Sequence, residues 1–454
     1  MFNMSVNKEV GSHTFSRKVW VAISSPFQVN FFHPLILRLR KSLDVLITAR
    51  GDDRVLSMLK TKGLDCVPVG KSEGGPPNER LVAYAKTMEE LVPIVQREKP
   101  DLLLTERWPE AVRVAFGFGV PSWTLFCDER DSHVNCTVFP LSTKIFASRF
   151  HGFKELQENG VNDVRKVIWF DGFPACYLKG AVMKGCDPFK AEGLKSPVWL
   201  LRPEPESAGG SGESKIVERS VHMLTKQKEA KDISLVVLPR NERQMVQYKR
   251  YPVTVMTSVV PDSPVVYADA VFGGSESMLM EAFVLGKPAV SSIYWRESKL
   301  LRELHRYIPH TLDPSQIAQE VIKFTNSEEA LLFKERTRLM VNQMDDPVVM
   351  MEEEVSRFYG LVQFNDVGSS GRRSKIEIYT DILQEIAFRP RRLTHIMQAA
   401  NLPYTQLKRY LIRLKRTNLV VEKRDRPNGV SYQATSEGLR FLKEYKKVIS
   451  SLLE

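Results

Sequence analysis

The chain has 454 residues, 43% of them hydrophobic, with 65 Lys and Arg against 54 Asp and Glu. That length allows about three domains, or two and an appendage, and the apolar fraction is that of an ordinary globular protein. No run of 18 apolar residues occurs, so no membrane insertion is expected. Residues 1–17 lack the apolar core of a signal peptide and read as a disordered tail. The five cysteines (66, 127, 136, 176 and 186) form no C-x-x-C pair. Such a set argues against a disulfide framework or a zinc site and fits a cytoplasmic protein, and neither a metal nor a cofactor is expected. The charge is uneven: from Arg372 to Glu454 there are 18 Lys and Arg against 8 Asp and Glu, leaving 47 against 46 in the rest. One small basic segment at the end of the chain points to a polyanion partner, double-stranded DNA before a membrane surface.

In chain order, residues 18–24 (KVWVAIS) read as a strand, Ser25–Asn30 as a loop and Phe31–Lys41 as an amphipathic helix. Strands at Val45–Thr48, Val67–Val69, Asp101–Thr105 and Ser122–Phe126 then alternate with helices at Asp52–Lys62, Arg80–Glu98 and Ala111–Gly117. This alternation predicts a parallel sheet covered on both faces. Ligands of such sheets bind beyond the C-terminal strand ends. Gln28 and Asn30, Glu106 and Arg107, and Asp128 with Glu129 lie at those ends, and His133 and Asn135 fall in the next loop. No G-x-G-x-x-G follows the first strand, so a dinucleotide fingerprint is absent.

A second unit starts near residues 176–197, with strands at Val198–Leu201, Ile233–Leu238 and Val253–Met256 and a helix at Lys215–Glu229. Glu204–Lys215 is a polar loop. Arg240 stands at a strand end, where its guanidinium suits a phosphate or else a surface salt bridge. After a helical turn at Asp262–Ala268 comes the stretch around which the chain is organised: a strand at Val271–Phe272, the turn Gly273-Gly274-Ser275, a helix from Met278 to Leu285, and a strand at Ala289–Val290. A small turn between strand and helix lets a ligand approach the backbone, and free N–H groups at the helix start favour a diphosphate. Ser277 lies beside the turn, and Glu281, one helical turn further on, is placed to reach a ribose hydroxyl. The alternative is that the glycines only make a tight turn and Glu281 is solvated. A last helix, Val348–Leu361, closes the domain.

The 265–292 stretch resembles the second-domain signature of GT-B proteins, the group of glycosyltransferases and UDP-N-acetylglucosamine 2-epimerases. More closely, the chain resembles the mainly archaeal domain-of-unknown-function family 354. The resemblance rests on CDERDSHVNCTVFPLSTKIFAS, FDGFPACYL, LPRNERQ and the first loop, and it covers roughly residues 18–345. It implies two Rossmann-like domains, 18–180 and 181–363, with a nucleotide-sugar, most readily a UDP-sugar, between them. Two departures stand out. Gln28 replaces a histidine and cannot act as a base. Ser275-Glu276 replaces small residues, and a carboxylate there suits a diphosphate only if it points away or a cation intervenes.

A linker at 364–373 precedes helices at Ser374–Ala387 and Leu393–Ala400, a third from Pro403 to Thr417, strands at Leu419–Lys423 and Val430–Ala434 joined through Asn428-Gly429, and a helix at Ser436–Leu453. This is the order of a winged helix-turn-helix domain, 374–454, and the segment resembles an archaeal winged-helix regulator family. The third helix is expected in the major groove. Tyr404, Thr405, Gln406 and Arg409 would touch bases, Lys408 and Arg413 phosphates, and Lys423, Arg424 and Arg426 on the wing the backbone or minor groove. The resemblance implies a homodimer through the last helix, with Leu442, Tyr445, Ile449 and Leu452 as the seam.

The expected fold class is therefore α/β, two Rossmann-like domains of GT-B type, plus a C-terminal winged helix-turn-helix domain. The expected function is a GT-B-like nucleotide-sugar-binding protein that transfers or modifies the sugar. Gln28, Asn30, Arg240, Gly273, Gly274, Ser275, Ser277 and Glu281 would bind ligand, and Glu106, Asp128 or Glu129 would be the base. The alternative is a ligand-sensing transcriptional regulator without turnover; a third reading makes the body a scaffold.

Overall fold

The computed structural model describes residues 17–71, 76–179, 187–205, 215–256, 263–325, 327–361, 375–400, 402, 404–425 and 429–453. The tail expected before residue 17, the linker at 364–373 and most of the 204–215 loop lie outside the described residues. The chain divides into two compact units, 1–362 and 363–454, each taken here by itself.

Short, mostly apolar strands of two to seven residues build two parallel sheets in the first unit. Strands β1 (Lys18–Ile23), β2 (Asp44–Arg50), β3 (Val67–Val69), β4 (Leu102–Thr105), β5 (Ser122–Phe126), β6 (Lys144–Ser148) and β7 (Val167–Phe170) pair in the order β3-β2-β1-β4-β5-β6-β7. Strands β8 (Val198–Arg202), β9 (Ser234–Val237), β10 (Thr254–Val255), β11 (Ala270–Gly273) and β12 (Ala289–Ser291) pair as β10-β9-β8-β11-β12. Each sheet has one point where the strand order reverses, between β1 and β4 and between β8 and β11. Crevices beyond such points are where open α/β sheets take ligands. Helices cover both faces. Leu35, Ile36, Val21 and Leu125 fill one face of the first sheet, while Trp20, Leu103, Trp108 and Ile145 fill the other.

The segment read as a loop at Ser25–Asn30 is the start of a helix, Pro26–Leu39. Ser25 caps it by accepting from the Gln28 N–H, and Pro26 occupies the first turn, where its missing N–H loses nothing. His133 and Asn135 also lie on a helix, Ser132–Val138, rather than in a loop. The helix expected over Lys215–Glu229 stops at Leu224. Three helices without a counterpart in the sequence reading, Lys299–Leu304, Pro314–Thr325 and Ser327–Val341, follow β12.

The helix at Pro347–Phe358 leaves the second sheet and packs on the first. Val348, Met351, Val355 and Tyr359 join the core of Val19, Phe31 and Phe32. Arg38 and Lys144 pair with Glu352 and Glu354, and the Tyr359 hydroxyl donates to the Lys18 carbonyl at 3.0 Å. The chain thus crosses between the halves twice, and the reciprocal backbone contacts of Asp171 and Asp345 mark the crossing.

The second unit has helices Lys375–Glu385, Leu393–Ala399, Tyr404–Arg416 and Ser436–Leu453 and an antiparallel sheet of β13 (Arg391–Arg392), β14 (Val420–Asp425) and β15 (Gly429–Ala434), in the order β13-β15-β14. Ile382, Leu383, Ile396, Leu407, Leu411, Leu414 and Leu442 form its core. This corrects one part of the expected dimer seam: Leu442 is spent inside the unit. Tyr445 stacks on Phe441, and the side chains of Ile449 and Leu452 lie outside the described residues.

At the end of β11, Gly273 has φ +129°, and a Cβ there would stand 2.2 Å from the Arg202 carbonyl oxygen of β8. Gly273→Ala combines a backbone conformation closed to alanine with a backbone clash, so it should destabilise the protein by roughly 3 kcal/mol. Gly117→Ala, where a Cβ meets nothing within 4 Å, is the control. Thermal unfolding of the two variants checks this: equal melting temperatures would contradict the tight approach of β8 and β11.

Candidate functional site

The reversal point of the second sheet carries the glycine turn. Gly274 donates to the Arg202 carbonyl at 2.8 Å, and a Cβ on it would meet the Trp295 ring at 3.1 Å and Glu204 Cα at 3.2 Å. Packing therefore requires glycine at 273 and leaves little room for a side chain at 274. The helix that follows, Glu276–Val284, has Ser275 at its N-cap with no side-chain capping bond, so its first N–H groups are not taken by that side chain. Ser275 Oγ and Ser277 Oγ lie 3.4 Å apart beside it.

Two arginines, Arg240 and Arg202, lie at this turn. Arg240 does not make the surface salt bridge that was its alternative role; it donates to the carbonyls of Pro203 and Gly274, both at 2.9 Å. Arg202, at the end of β8, donates to the carbonyls of Leu238 and Pro239. Burial, then Arg240 and Arg54, push Arg202 down to about 9. Burial also lowers Arg240; Glu204 opposes this and Arg54 adds to it. Arg54 comes from the first half, in the helix Asp53–Thr61 after β2. Among the described residues Arg202 and Arg240 have no carboxylate within ion-pair distance. Carbonyl partners orient these guanidiniums without neutralising their charge. The sequence reading missed Arg202, although it bears the signal that singled out Arg240, an arginine closing an apolar strand.

Glu281 is buried rather than solvated. Its carboxylate accepts from Tyr177 at 3.1 Å and Ser263 at 2.5 Å, and burial lifts it to about 7 against those two bonds. Glu276 resolves the difficulty its charge posed at the turn. It points across the cleft to Arg130 at 2.8 Å and accepts from Ser298, and burial raises it to about 7 although Arg130 and Ser298 oppose the shift.

The reversal point of the first sheet holds Gln28 and Glu106, both buried. The Gln28 amide accepts from the Ser24 N–H at 2.6 Å and donates to Glu106 at 2.9 Å; Arg107 binds the other Glu106 oxygen at 3.1 Å. Asn30, two residues further along the same helix, keeps a buried Oδ1 with no partner among the described residues. Asp128 is gripped by Arg130 through two bonds, at 2.7 and 2.6 Å, and these outweigh burial to hold its carboxyl below the usual range. Glu129 accepts from the Lys299 N–H at 2.5 Å and faces the buried His151 at 3.3 Å; burial raises it, but His151 wins and the net shift is down. Glu129 also lines a cavity of ≈ 350 Å³ with Glu155, Asn159, Arg296, Glu297 and Lys299. None of the residues of the glycine turn line that cavity.

In the second unit, Leu407, Leu411 and Leu414 turn the Tyr404–Arg416 helix inward. This leaves Tyr404, Gln406, Lys408, Arg409 and Arg413 exposed, with the Lys408 ammonium 5.7 Å from the Tyr404 ring. Lys415 is taken by Glu422 at 2.5 Å. Lys423 is exposed on β14; the side chains of Thr405 and Arg424, and the whole of Arg426, lie outside the described residues.

Native Glu281 holds its proton to about pH 7, while the unfolded chain releases it near 4.5. Between those values the folded state binds more protons, so this contribution is complete below pH 4.5 and is lost as the pH rises through 7. The gap corresponds to on the order of 3 kcal/mol. Glu281→Gln should therefore flatten the fall in stability between pH 5 and 7.5. Denaturant melts across that range check it; an unchanged slope would show that Glu281 ionises normally.

Three solved structures share the fold of the first unit. UDP-GlcNAc 2-epimerase from Neisseria meningitidis, bound to UDP-GlcNAc, is 16% identical with a TM-score of 0.55, covering 76% of this chain and 100% of that one. The Methanocaldococcus jannaschii UDP-GlcNAc 2-epimerase, in complex with UDP-GlcNAc and UDP, is 13% identical at 0.56, covering 76% and 100%. MnaA of S. aureus, solved with UDP, is 14% identical at 0.56, covering 77% and 98%. At these identities the likeness establishes the GT-B fold alone. An uncharacterized protein of Methanocaldococcus jannaschii is 26% identical over 353 residues, 75% of this chain and 98% of that protein. The family profile described as winged helix-turn-helix matches residues 372–452, and the one described as protein of unknown function DUF354 matches residues 17–359. With that match over most of its length, the chain belongs to the DUF354 family and carries a winged helix-turn-helix domain behind the family's GT-B-like body.

Proposed function

We propose that the GT-B-like body binds a UDP-sugar in the cleft between its sheets and acts on the sugar, and that the winged-helix unit binds double-stranded DNA. The observation that carries the first part is the pair of Arg202 and Arg240, held by carbonyl oxygens beside the turn that opens the Glu276–Val284 helix. Clustered cations beside free N–H groups repel one another until an anion joins them. A diphosphate supplies that charge, with Ser275 and Ser277 as additional donors and Glu281, supported by Tyr177 and Ser263, toward the ribose. Gln28, Asn30 and Glu106 face the sugar from the first sheet. Among the candidate bases Glu129 lines open space, whereas Asp128 serves chiefly to hold Arg130. The solved neighbours, named as UDP-GlcNAc 2-epimerases or bound to UDP, agree with this ligand class.

Titration calorimetry of the full chain with UDP and UDP-GlcNAc tests the body. Binding is expected, with Arg202→Ala and Arg240→Ala each weakening it at least about tenfold through loss of one charge-assisted contact. Proton NMR of the same mixture reads turnover, which Glu129→Gln should abolish. Binding without turnover would select the sensor reading, which one observation favours: Asp128, one of the candidate bases, is committed to Arg130 through both of its oxygens. No binding of either nucleotide would overturn the proposal for the body.

The second part rests on the exposed Lys408, Arg409 and Arg413, none of which has an ion-pair partner among the described residues. Each phosphate contact contributes roughly 0.9 to the slope of log affinity against log salt. Arg413→Ala should reduce that slope by about 1, while Arg409→Ala should also relax sequence preference. A slope unchanged by Lys408→Ala, Arg409→Ala and Arg413→Ala together would mean that this helix does not face DNA.

A further inference from the structure

Beyond the end of β12, three side chains from one local segment converge. His305 presents Nδ1 to Glu297 Oε1 at 2.8 Å and Nε2 to Ser291 Oγ at 2.8 Å. His310 presents Nε2 to the Ile293 carbonyl at 2.9 Å. The two imidazoles stack with centroids 4.0 Å apart and planes 7° from parallel. One ligand atom from each of Glu297, His305 and His310 lies within 4.8 Å of the others. Backbone bonds fix the frame: Ser291 bridges to His310, and the Ser291 N–H and carbonyl bond Pro309 and Thr311.

We propose that Glu297, His305 and His310 form a binding site for a divalent transition-metal ion, zinc first. Two imidazoles and a carboxylate are a donor set for such an ion, leaving a fourth position for water. Each ring already has the outer partner a metal-bound histidine uses: Ile293 O accepts the Nε2–H of His310, and Ser291 Oγ is placed to accept that of His305. Nδ1 is then the ligand atom on both. Without an ion, His305 carries its proton on Nδ1 toward Glu297; ion binding shifts it to Nε2, and Ser291 becomes the acceptor. Glu297 also lines the ≈ 350 Å³ cavity, which gives the ion a path in. Because the two rings are stacked, an ion would be bound only with the His310 ring tilted out of the stack about its bond to the Ile293 carbonyl. The same atoms spell a Ser–His–Glu relay, but Ser291 is fully buried in β12 and offers no nucleophile.

The site does not depend on what the cleft binds, yet it bears on the cleft wall. The loop between Ser291 and Lys299 carries Trp295, which packs on Gly274, the Arg296 carbonyl, which accepts from Arg130, and Ser298, which donates to Glu276. An ion would tie both ends of that loop to β12 and stiffen it.

The test uses the full chain, stripped by chelator and titrated with zinc against a chromophoric zinc indicator, with circular dichroism confirming the fold. The expected result is one ion per chain, with affinity about 100-fold lower in His310→Gln and in Glu297→Gln and unchanged in His222→Gln. His310 is exposed, so its replacement leaves the core intact. Stoichiometric binding of equal affinity in wild type and His310→Gln would place the ion elsewhere and overturn the proposal, as would no binding above that of the double variant.

Discussion

Arg130 is the interaction on which the body depends. Its guanidinium binds Asp128 of its own half, Glu276 of the other, and the Arg296 carbonyl beyond, with a side chain 19% exposed. One cation between two acids keeps both halves in register exactly where a ligand would part them. Removing a partner of such a set leaves a buried charge unpaired, which costs more than the set itself contributes. Burial alone would have neutralised Glu276; Arg130 limits the rise. The crossing helix at Pro347–Phe358 supplies the second tie through its apolar face, so the cleft is bounded by one polar and one apolar clasp.

The glycine turn has two physical explanations, and the structure separates them. Packing against the Arg202 carbonyl requires glycine at 273, and Trp295 and Glu204 crowd 274. The glycines therefore say little about a ligand. What speaks for an anion is the charge around them: arginines held by carbonyl oxygens rather than carboxylates, beside an N-cap whose side chain makes no capping bond. Carbonyl dipoles orient a guanidinium without cancelling its charge, which leaves it available to a phosphate.

Much of the fold was legible because short apolar runs and their turn residues are local signals. The strands at β5, β8 and β11 stand within a residue or two of where their apolar runs put them. Ser25–Asn30 was misread because Ser-Pro serves loops and helix starts alike, and only the cap at Gln28 decides between them. The return of the last helix to the first sheet was not legible, since its apolar stripe fits either half. In the site, single residues at strand ends could be named, but their pairings could not. Arg130 and Glu276 are 146 positions apart, and nothing in either neighbourhood marks the other.

The acids of the cleft also bear on what it can do. A general base serves best with a pKa near the working pH. Glu276 and Glu281 are both lifted to about 7 by burial, yet both are committed: one to Arg130 and Ser298, the other to Tyr177 and Ser263. Asp128 is held low by the cation that bridges the halves. Glu129 differs because its partner is an imidazole, which can pass from charged to neutral where a guanidinium cannot. The Glu129–His151 contact is therefore not a fixed ion pair of the kind that Asp128 makes with Arg130. If the cleft has chemistry, that chemistry belongs to the side of the sheet edge where Glu129 stands.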